Sequence, residues 1–279
     1  MKLTNPELIK AVSSAWAGAR DSSGRPLVPD GIISRMELVT TDEAWGTLRE
    51  HGYDWNFCGN WQSLHADRTL VGRALTSRWV PQRPDIRESV DRQGKKDKRV
   101  GHYNSWVIDE LKHNDVMVVD HFGKVRYGPF VGDNLSTSIW TKTGRGFVIE
   151  GTIRDTQRIL EIDGLQGFHR GMDPSFIQGT DLVEINGIIR LGEATCVPGD
   201  IVLGTVEGLV FIPPHLAEEV VVKSEDTRVR DEFGKQMLAE GRYTPGEIDR
   251  KWEDHIEKHF KQWLSSRKKA TSRPPKRKV

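Results

Sequence analysis

Cysteine is nearly absent from this chain of 279 residues, which holds only Cys58 and Cys196. Two thiols exclude a disulfide scaffold and leave too few sulfur donors for a Cys-based zinc site. Long apolar runs are missing as well. No run approaches the roughly 20 residues that span a bilayer, and Lys10 interrupts the stretch Leu8 to Ala19. This excludes a membrane span and a signal peptide, so the expected setting is cytoplasmic. A G-x-x-x-x-G-K-[ST] phosphate loop, a G-x-S-x-G nucleophile elbow and a helix-opening G-x-G-x-x-G are all absent. Their absence removes the best-marked nucleotide, serine-hydrolase and dinucleotide readings. Nor does the body carry an excess of positive charge. The total is +1, yet seven basic residues between Arg267 and Lys278 stand without an acid, which leaves the rest of the chain at −6. A mildly acidic body argues against a nucleic-acid surface built into the fold. Any phosphate contact falls to the tail, and a basic run with Pro274 and Pro275 is more often a disordered, solvated end.

What is present is a folding composition, 36% hydrophobic and 29% charged, long enough to bury a core without staples. Asn5-Pro6-Glu7 starts a helix, and Asp21 to Arg25 with Pro26, Pro29 and Gly31 keeps the following chain irregular. Thr40 or Thr41 caps a second helix that reaches His51. From about 70 to 215, short apolar runs alternate with turn residues. Leu70–Leu75, Val116–Asp120, Gly146–Glu150, Leu182–Ile185, Ile201–Leu203 and Leu209–Ile212 read as strands. Ser105–Lys112 and Ser136–Lys142 read as helices, and Asp91–Arg99 as a charged loop. So many strands with so few intervening helices disfavour a doubly wound sheet and predict a layered α/β domain with mixed pairing. Leu216–Glu225 and Val229–Glu240 are expected as two helices, the second stopped by Gly241. Thr244-Pro-Gly-Glu247 opens another, whose stripe Ile248, Trp252, Ile256, Phe260 and Trp263 is expected to pack on the body or on a second subunit.

The informative chemistry lies in Val131-Gly132-Asp133-Asn134-Leu135 and Glu150-Gly-Thr-Ile-Arg154-Asp155. The first piece is turn chemistry ahead of a helix, whose first amides form a seat for a carboxylate. The second places an arginine fork and a carboxylate just after a buried strand. That pair suits an oxo acid and a hard divalent cation, although from the spacing alone an Arg154–Asp155 salt bridge or capping pair is the more ordinary use of it. His255 and His259, four apart on a charged helix, read as a solvated face rather than a metal site. The aromatic segment Tyr53–Trp61 and the charged stretch Arg83–Arg99 are candidates for walls of a substrate pocket.

The stretch from about 113 to 220 resembles the RraA-like family, which includes the 4-hydroxy-4-methyl-2-oxoglutarate and 4-carboxy-4-hydroxy-2-oxoadipate aldolases. The matching pieces are Asp115–Asp120, Gly132–Leu135, Gly151–Asp155, His169–Pro174, Val197–Val202 and Gly208–Pro213. The resemblance implies a layered β/β/α sandwich of the swivelling-domain type with N- and C-terminal helical extensions. It divides the chain into an extension 1–38, a catalytic domain 39–220, C-terminal helices 221–265 that pack on a neighbouring subunit, and a basic disordered tail 266–279. Asp133 is followed by twenty residues and then Arg154-Asp155, similar to the family's aldolase branch, and Arg158 stands where its ribonuclease-regulator branch has an acid. The implied activity is a metal-dependent lyase releasing pyruvate from a 4-hydroxy-2-oxo acid, with oxaloacetate decarboxylation alongside. In that picture Asp155 holds Mg²⁺ (or Mn²⁺), Arg154 serves substrate and catalysis, and Gly132, Asn134 and Leu135 seat the pyruvyl carboxylate. Asp133, and Asp231 of a neighbouring subunit in preference to Glu232, act on the metal through water. A homotrimer or homohexamer is implied with it. A regulator that binds a ribonuclease, and a sugar-acid dehydratase or isomerase on the same scaffold, are the alternatives.

Overall fold

The computed structural model describes residues 2–271, with backbone alone for 268–271. Three helices open the chain: α1 Pro6–Val12, α2 Asp30–Met36 and α3 Thr41–Glu50. The strands β1 Phe57–Cys58, β2 Gln62–Ser63 and β3 Leu70–Pro81 follow, then helices α4 Pro84–Lys96 and α5 Tyr103–Asp109. Next come β4 Asp115–Pro129, α6 Asp133–Thr143, β5 Gly146–Ile153, α7 Thr156–Ile159, β6 Gln166–Met172 and β7 Thr180–Ile185. The hairpin β8 Ile189–Leu191 and β9 Ala194–Cys196 precedes β10 Ile201–Thr205 and β11 Gly208–Ile212. A short 3₁₀ turn, Pro214–Leu216, leads into α8 Ala217–Ala239, α9 Pro245–Ile248 and α10 Asp254–Thr271. The chain divides into two compact units between Val221 and Val222.

In the first unit a nine-stranded sheet runs β1-β11-β10-β3-β4-β5-β6-β2, with β7 also paired to β3. Strands β3, β4, β5 and β6 are mutually parallel, and the other pairs are antiparallel. The unbroken apolar runs of β4 and β5 follow from burial on both faces. Met117, Val119, Phe147 and Ile149 face one cluster with Val90, Trp106 and Ile139 of the helices, whereas Val116, Val118 and Val148 face another with the β8–β9 hairpin. Ile201, Leu203, Val210 and Ile212 meet Ile33 and Leu48 of α2 and α3. Hairpin, mixed sheet and helices thus form the layers of a mixed α/β fold.

Several local expectations are corrected. The charged stretch 91–99 is mostly not a loop: α4 runs through it, with Pro84 in its first turn, Asp85 near its N-terminus and Lys95 and Lys96 in its last turn. Val90 is its buried anchor. Residues 30–36, read as irregular, form α2 after Pro29, and Ile33 and Met36 supply its buried face. In the second unit the two helices expected between 216 and 240 are one, α8, while the helix expected from Thr244 is broken into α9 and α10. The stripe Ile248, Trp252, Ile256, Phe260 and Trp263 packs with Phe233 and Met237 of α8, inside its own unit. Helix α10 carries through Thr271, so the tail does not begin at 266. The rest of the tail, 272–279, lies outside the described residues.

The N-terminal segment is pinned to the sheet by buried ions. Arg25 reaches Asp115 at 2.8 Å, and Arg73 holds the Val28 carbonyl and Asp30. Asp200, fully enclosed, accepts a hydrogen bond from the Val197 amide, and burial pushes its carboxyl up to about 7 from an ordinary 3.8. A carboxyl raised by folding stabilises fully below its unfolded pKa, and that contribution is lost as pH rises through the folded one. Between about pH 4 and 7 the Asp200→Asn variant is therefore expected to gain stability relative to the parent. Denaturant unfolding at pH 4.5 and pH 8 reads the change, and a difference that stays flat with pH contradicts it.

Candidate active site at the carboxyl ends of the parallel strands

Successive parallel strands joined by a helix bring the strand's carboxyl end and the helix's N-terminus to one edge of the sheet. The connection β4–α6–β5 does this with Gly132–Leu135 and Arg154-Asp155. Gly132 is the N-cap of α6 in extended conformation, and Asp133 is the first helical residue. The Arg154 amide donates to the Val131 carbonyl at 3.1 Å, which ties the end of β5 to the entry of α6. Arg154 Nε lies 3.3 Å from Asp155 Oδ2, both side chains being about two-fifths exposed.

Asp155 sits at φ 55°, ψ 32°, the left-handed region, and its carbonyl accepts from the Arg158 and Ile159 amides that begin α7. An aspartate tolerates this conformation better than most side chains, yet it remains strained, as residues at functional sites often are. The turn aims its carboxylate at Gly132. A Cβ added there would collide with Asp155 Oδ2 and stand 3.2 Å from Arg154 Nε, so a larger residue would push these side chains out of their present positions.

These residues border a cavity of about 1240 Å³ whose lining includes Gly132, Asp133, Asn134, Leu135 and Arg154. Asp155 is not among the lining residues; it stands beside Gly132 instead. Asp133 Oδ1 accepts the Asn134 amide at 2.8 Å, so one of the amides read as a carboxylate seat already has a partner. The Leu135 amide belongs to the first helical turn, whose donors have no intrahelical acceptor. Asp231 is exposed on α8, in the second unit. The neighbouring Glu232 is engaged by Arg267.

The opposite wall was invisible in the motifs. Trp79, Tyr103, Trp106 and Phe130 supply aromatic surface, and Arg87 and Asp91 of α4 supply charge. Arg87 is locked on Asp181 at 2.8 Å and on the Thr180 carbonyl at 2.8 Å. The Tyr103 hydroxyl donates to Asp91 at 2.6 Å, and burial together with that carboxylate pushes the phenol well above its ordinary range. Half of the expected wall is thus found: Arg83–Arg99 contributes, whereas Tyr53–Trp61 is not on the lining. In that aromatic segment Trp61 lies under Arg170 at 3.7 Å, and Arg170 pairs with Glu150. His169, within the family-like His169–Pro174 piece, is buried with Nδ1 3.0 Å from the Gly171 carbonyl, so it serves the strand rather than the cavity.

The donor chemistry suits a hard cation. Among the described residues no three His, Cys, Asp or Glu side chains gather as a metal cage, and His259 is taken by the Tyr243 hydroxyl at 3.0 Å. Asp155 is a half-exposed carboxylate, and Asp133 is the next acid along the α6 entry; both offer the oxygen donors that a hard divalent cation takes.

The RraA-like family model, described as Aldolase/RraA, matches residues 43–211. This chain belongs to the RraA-like family. A 4-hydroxy-4-methyl-2-oxoglutarate aldolase of Thermus thermophilus is 28% identical over 108 residues, 38% of this chain and 64% of the relative. A Halalkalibacterium halodurans relative whose name carries the same activity is 28% identical over 131 residues, 47% of this chain. The chain therefore spans just under two thirds of these curated relatives, 61% of the second. Streptomyces coelicolor RraAS2, described as an unusual member of the RNase ES inhibitor RraA family, superposes with a TM-score of 0.63 at 24% identity, covering 76% of this chain and 98% of that one. An uncharacterized Pseudomonas syringae protein gives 0.66 at 19% identity, covering 84% and 98%. Both structures share the fold of this RraA-like chain. No helix among the described residues is long and apolar enough to cross a membrane.

Proposed function

We propose that this RraA-like chain is a divalent-metal-dependent lyase that cleaves a 4-hydroxy-2-oxo acid and releases pyruvate, with oxaloacetate decarboxylation as a side activity. The observation that carries this reading is the approach of Arg154 and Asp155 to Gly132 at the α6 N-terminus, beside a cavity large enough for such an acid. Asp155 would hold Mg²⁺ or Mn²⁺, with Asp133 on the far side of a water. The bound cation supplies Lewis-acid stabilisation of the oxygen charge that develops during cleavage.

The remaining work falls to the chain's own groups. The Leu135 amide and the positive end of α6 seat the pyruvyl carboxylate, with Gly132 leaving room for it. The Arg154 fork donates to the keto oxygen, which gains negative charge as the C3–C4 bond breaks. Asp133 takes the proton from the 4-hydroxyl through water, and the electron pair of the broken bond ends in the pyruvate enolate. Decarboxylation of oxaloacetate leaves the same enolate, which is why one site serves both reactions. A homotrimer or homohexamer belongs to this reading, with Asp231 of a neighbouring copy reaching the metal's water shell.

The test is pyruvate release from 4-hydroxy-4-methyl-2-oxoglutarate and from oxaloacetate, with Mg²⁺ and with EDTA. Release is expected with the metal, loss with EDTA, and recovery when Mg²⁺ or Mn²⁺ is returned. Silence on both compounds contradicts the reading. Metal-independent capture of a ribonuclease would then favour the regulator reading, against which Asp133 and Arg158 speak. Dehydrated or isomerised products from sugar acids would favour the third.

A further inference from the structure

Strand β4 leaves its register with β5 twice, between Val119 and Lys124 and again between Lys124 and Pro129. The excursion contains Phe122, Gly123 and Tyr127 at φ 45°, 68° and 53°. Two non-glycine residues in the left-handed region mark strain, and strain is retained where it positions something. The polarity of this segment is also inverted. Phe122 and Val125 are 37% and 54% exposed, whereas Lys124 between them is half-buried and lines the cavity.

The cations on the cavity lining differ in what satisfies them. Arg87 is closed on Asp181, and Arg154 leans on Asp155. Lys124 makes no ion pair and no side-chain hydrogen bond among the described residues. Its neighbour is His121, fully buried, its ring 5.7 Å from both Trp79 and Phe130 of the cavity lining. Neither ring nitrogen of His121 makes a full hydrogen bond. Burial first, and the Lys124 charge second, hold its pKa down to about 3, against a weak approach to the Gly128 backbone. An ammonium on the cavity lining that no acid of the described residues engages is open to an anion brought by a ligand.

We propose that Lys124 is a specificity-determining residue that receives the distal carboxylate of a dianionic 2-oxo acid whose pyruvyl end lies at Arg154 and the α6 N-terminus. This rests on the lyase reading of the site. Arg154 sorts for the oxo acid end and Lys124 for the second charge, while the aromatic wall of Trp79 and Tyr103 accommodates the carbons between. A monoanionic acid of the same length would leave Lys124 unmatched.

Calorimetric titration of the Mg²⁺-loaded protein with 2-oxoglutarate and with 2-oxopentanoate, acids of equal length that differ in the distal carboxylate, tests the assignment without turnover. The parent is expected to prefer 2-oxoglutarate by about tenfold to a hundredfold, the range of a charge-assisted hydrogen bond. In Lys124→Met the ratio is expected to fall to about one, and in Lys124→Arg to persist. A preference that survives in Lys124→Met overturns the role of Lys124, as does a parent that binds both acids equally; either result leaves the oxo acid site standing. A parent that binds neither overturns the oxo acid reading, and the Lys124 assignment with it.

Discussion

Replacing Arg154 by alanine is expected to lower kcat for pyruvate release by about a hundredfold to a thousandfold, the usual cost of removing one donor aimed at a developing oxyanion. The residue is held at both ends: its backbone amide is tied to Val131 and its side-chain Nε lies 3.3 Å from Asp155 Oδ2. Its contribution therefore grows as charge moves onto the keto oxygen, so kcat and kcat/KM should fall together. Arg154→Lys is expected to recover little, because an ammonium replaces a planar fork with a single hydrated point. Steady-state kinetics on oxaloacetate distinguish the possibilities. A rise in KM with kcat unchanged would place Arg154 in ground-state binding and contradict this account. The side chain is partly exposed, so the thermal midpoint should hardly move.

The second large effect is on stability. Arg25→Met is expected to destabilise the first unit by about 3–5 kcal/mol, because it takes the shorter of two ion pairs from a fully buried Asp115. Both side chains of the pair are about 1% exposed. The Lys112 amide still donates to Asp115 Oδ2, and Arg73 Nε remains 3.7 Å from Oδ1 without a hydrogen bond, so what is left compensates only in part. For a unit of this size the loss corresponds to a fall in Tm on the order of 10 °C. Removing both charges, Arg25→Met with Asp115→Leu, should recover part of it, since the buried carboxylate is gone while Asp21 and Arg73 each lose one partner. Thermal and denaturant unfolding check both variants, and an Arg25→Met midpoint within a degree or two of the parent contradicts the assigned role.

What the sequence reveals and what it conceals divide along physical lines. Asp133 and Arg154-Asp155 were grouped through the family resemblance, and the approach of Gly132 to Arg154-Asp155 has a local cause: a parallel β-α-β connection returns to the same sheet edge. The runs of β4, β5, β10 and β11 were legible because sheet burial writes itself as local hydrophobicity. Helix α4 was read largely as a loop because its charges outweigh its buried anchors Ile86 and Val90, although Pro84 and the lysines at its end were visible cap signals. Lys124 carried no signal at all. Its place on the cavity lining follows two register shifts of β4 and positive φ at Phe122 and Tyr127, which arise from long-range pairing rather than from neighbouring residues. The far wall of the cavity had the same fate, since Asp181 meets Arg87 only after β7 has paired with β3. The second unit shows the converse error. The stripe on α10 was seen, but periodicity names a buried face without naming its partner, which proved to be Phe233 and Met237.

Exchange of the pyruvate methyl protons in deuterated water, followed by proton NMR, tests the central claim most directly because it needs no knowledge of the natural substrate. The account predicts Mg²⁺-dependent loss of the methyl signal with the parent protein, abolished by EDTA and lost in Asp155→Ala. A methyl signal that persists with the Mg²⁺-loaded parent would contradict a pyruvate enolate at this site.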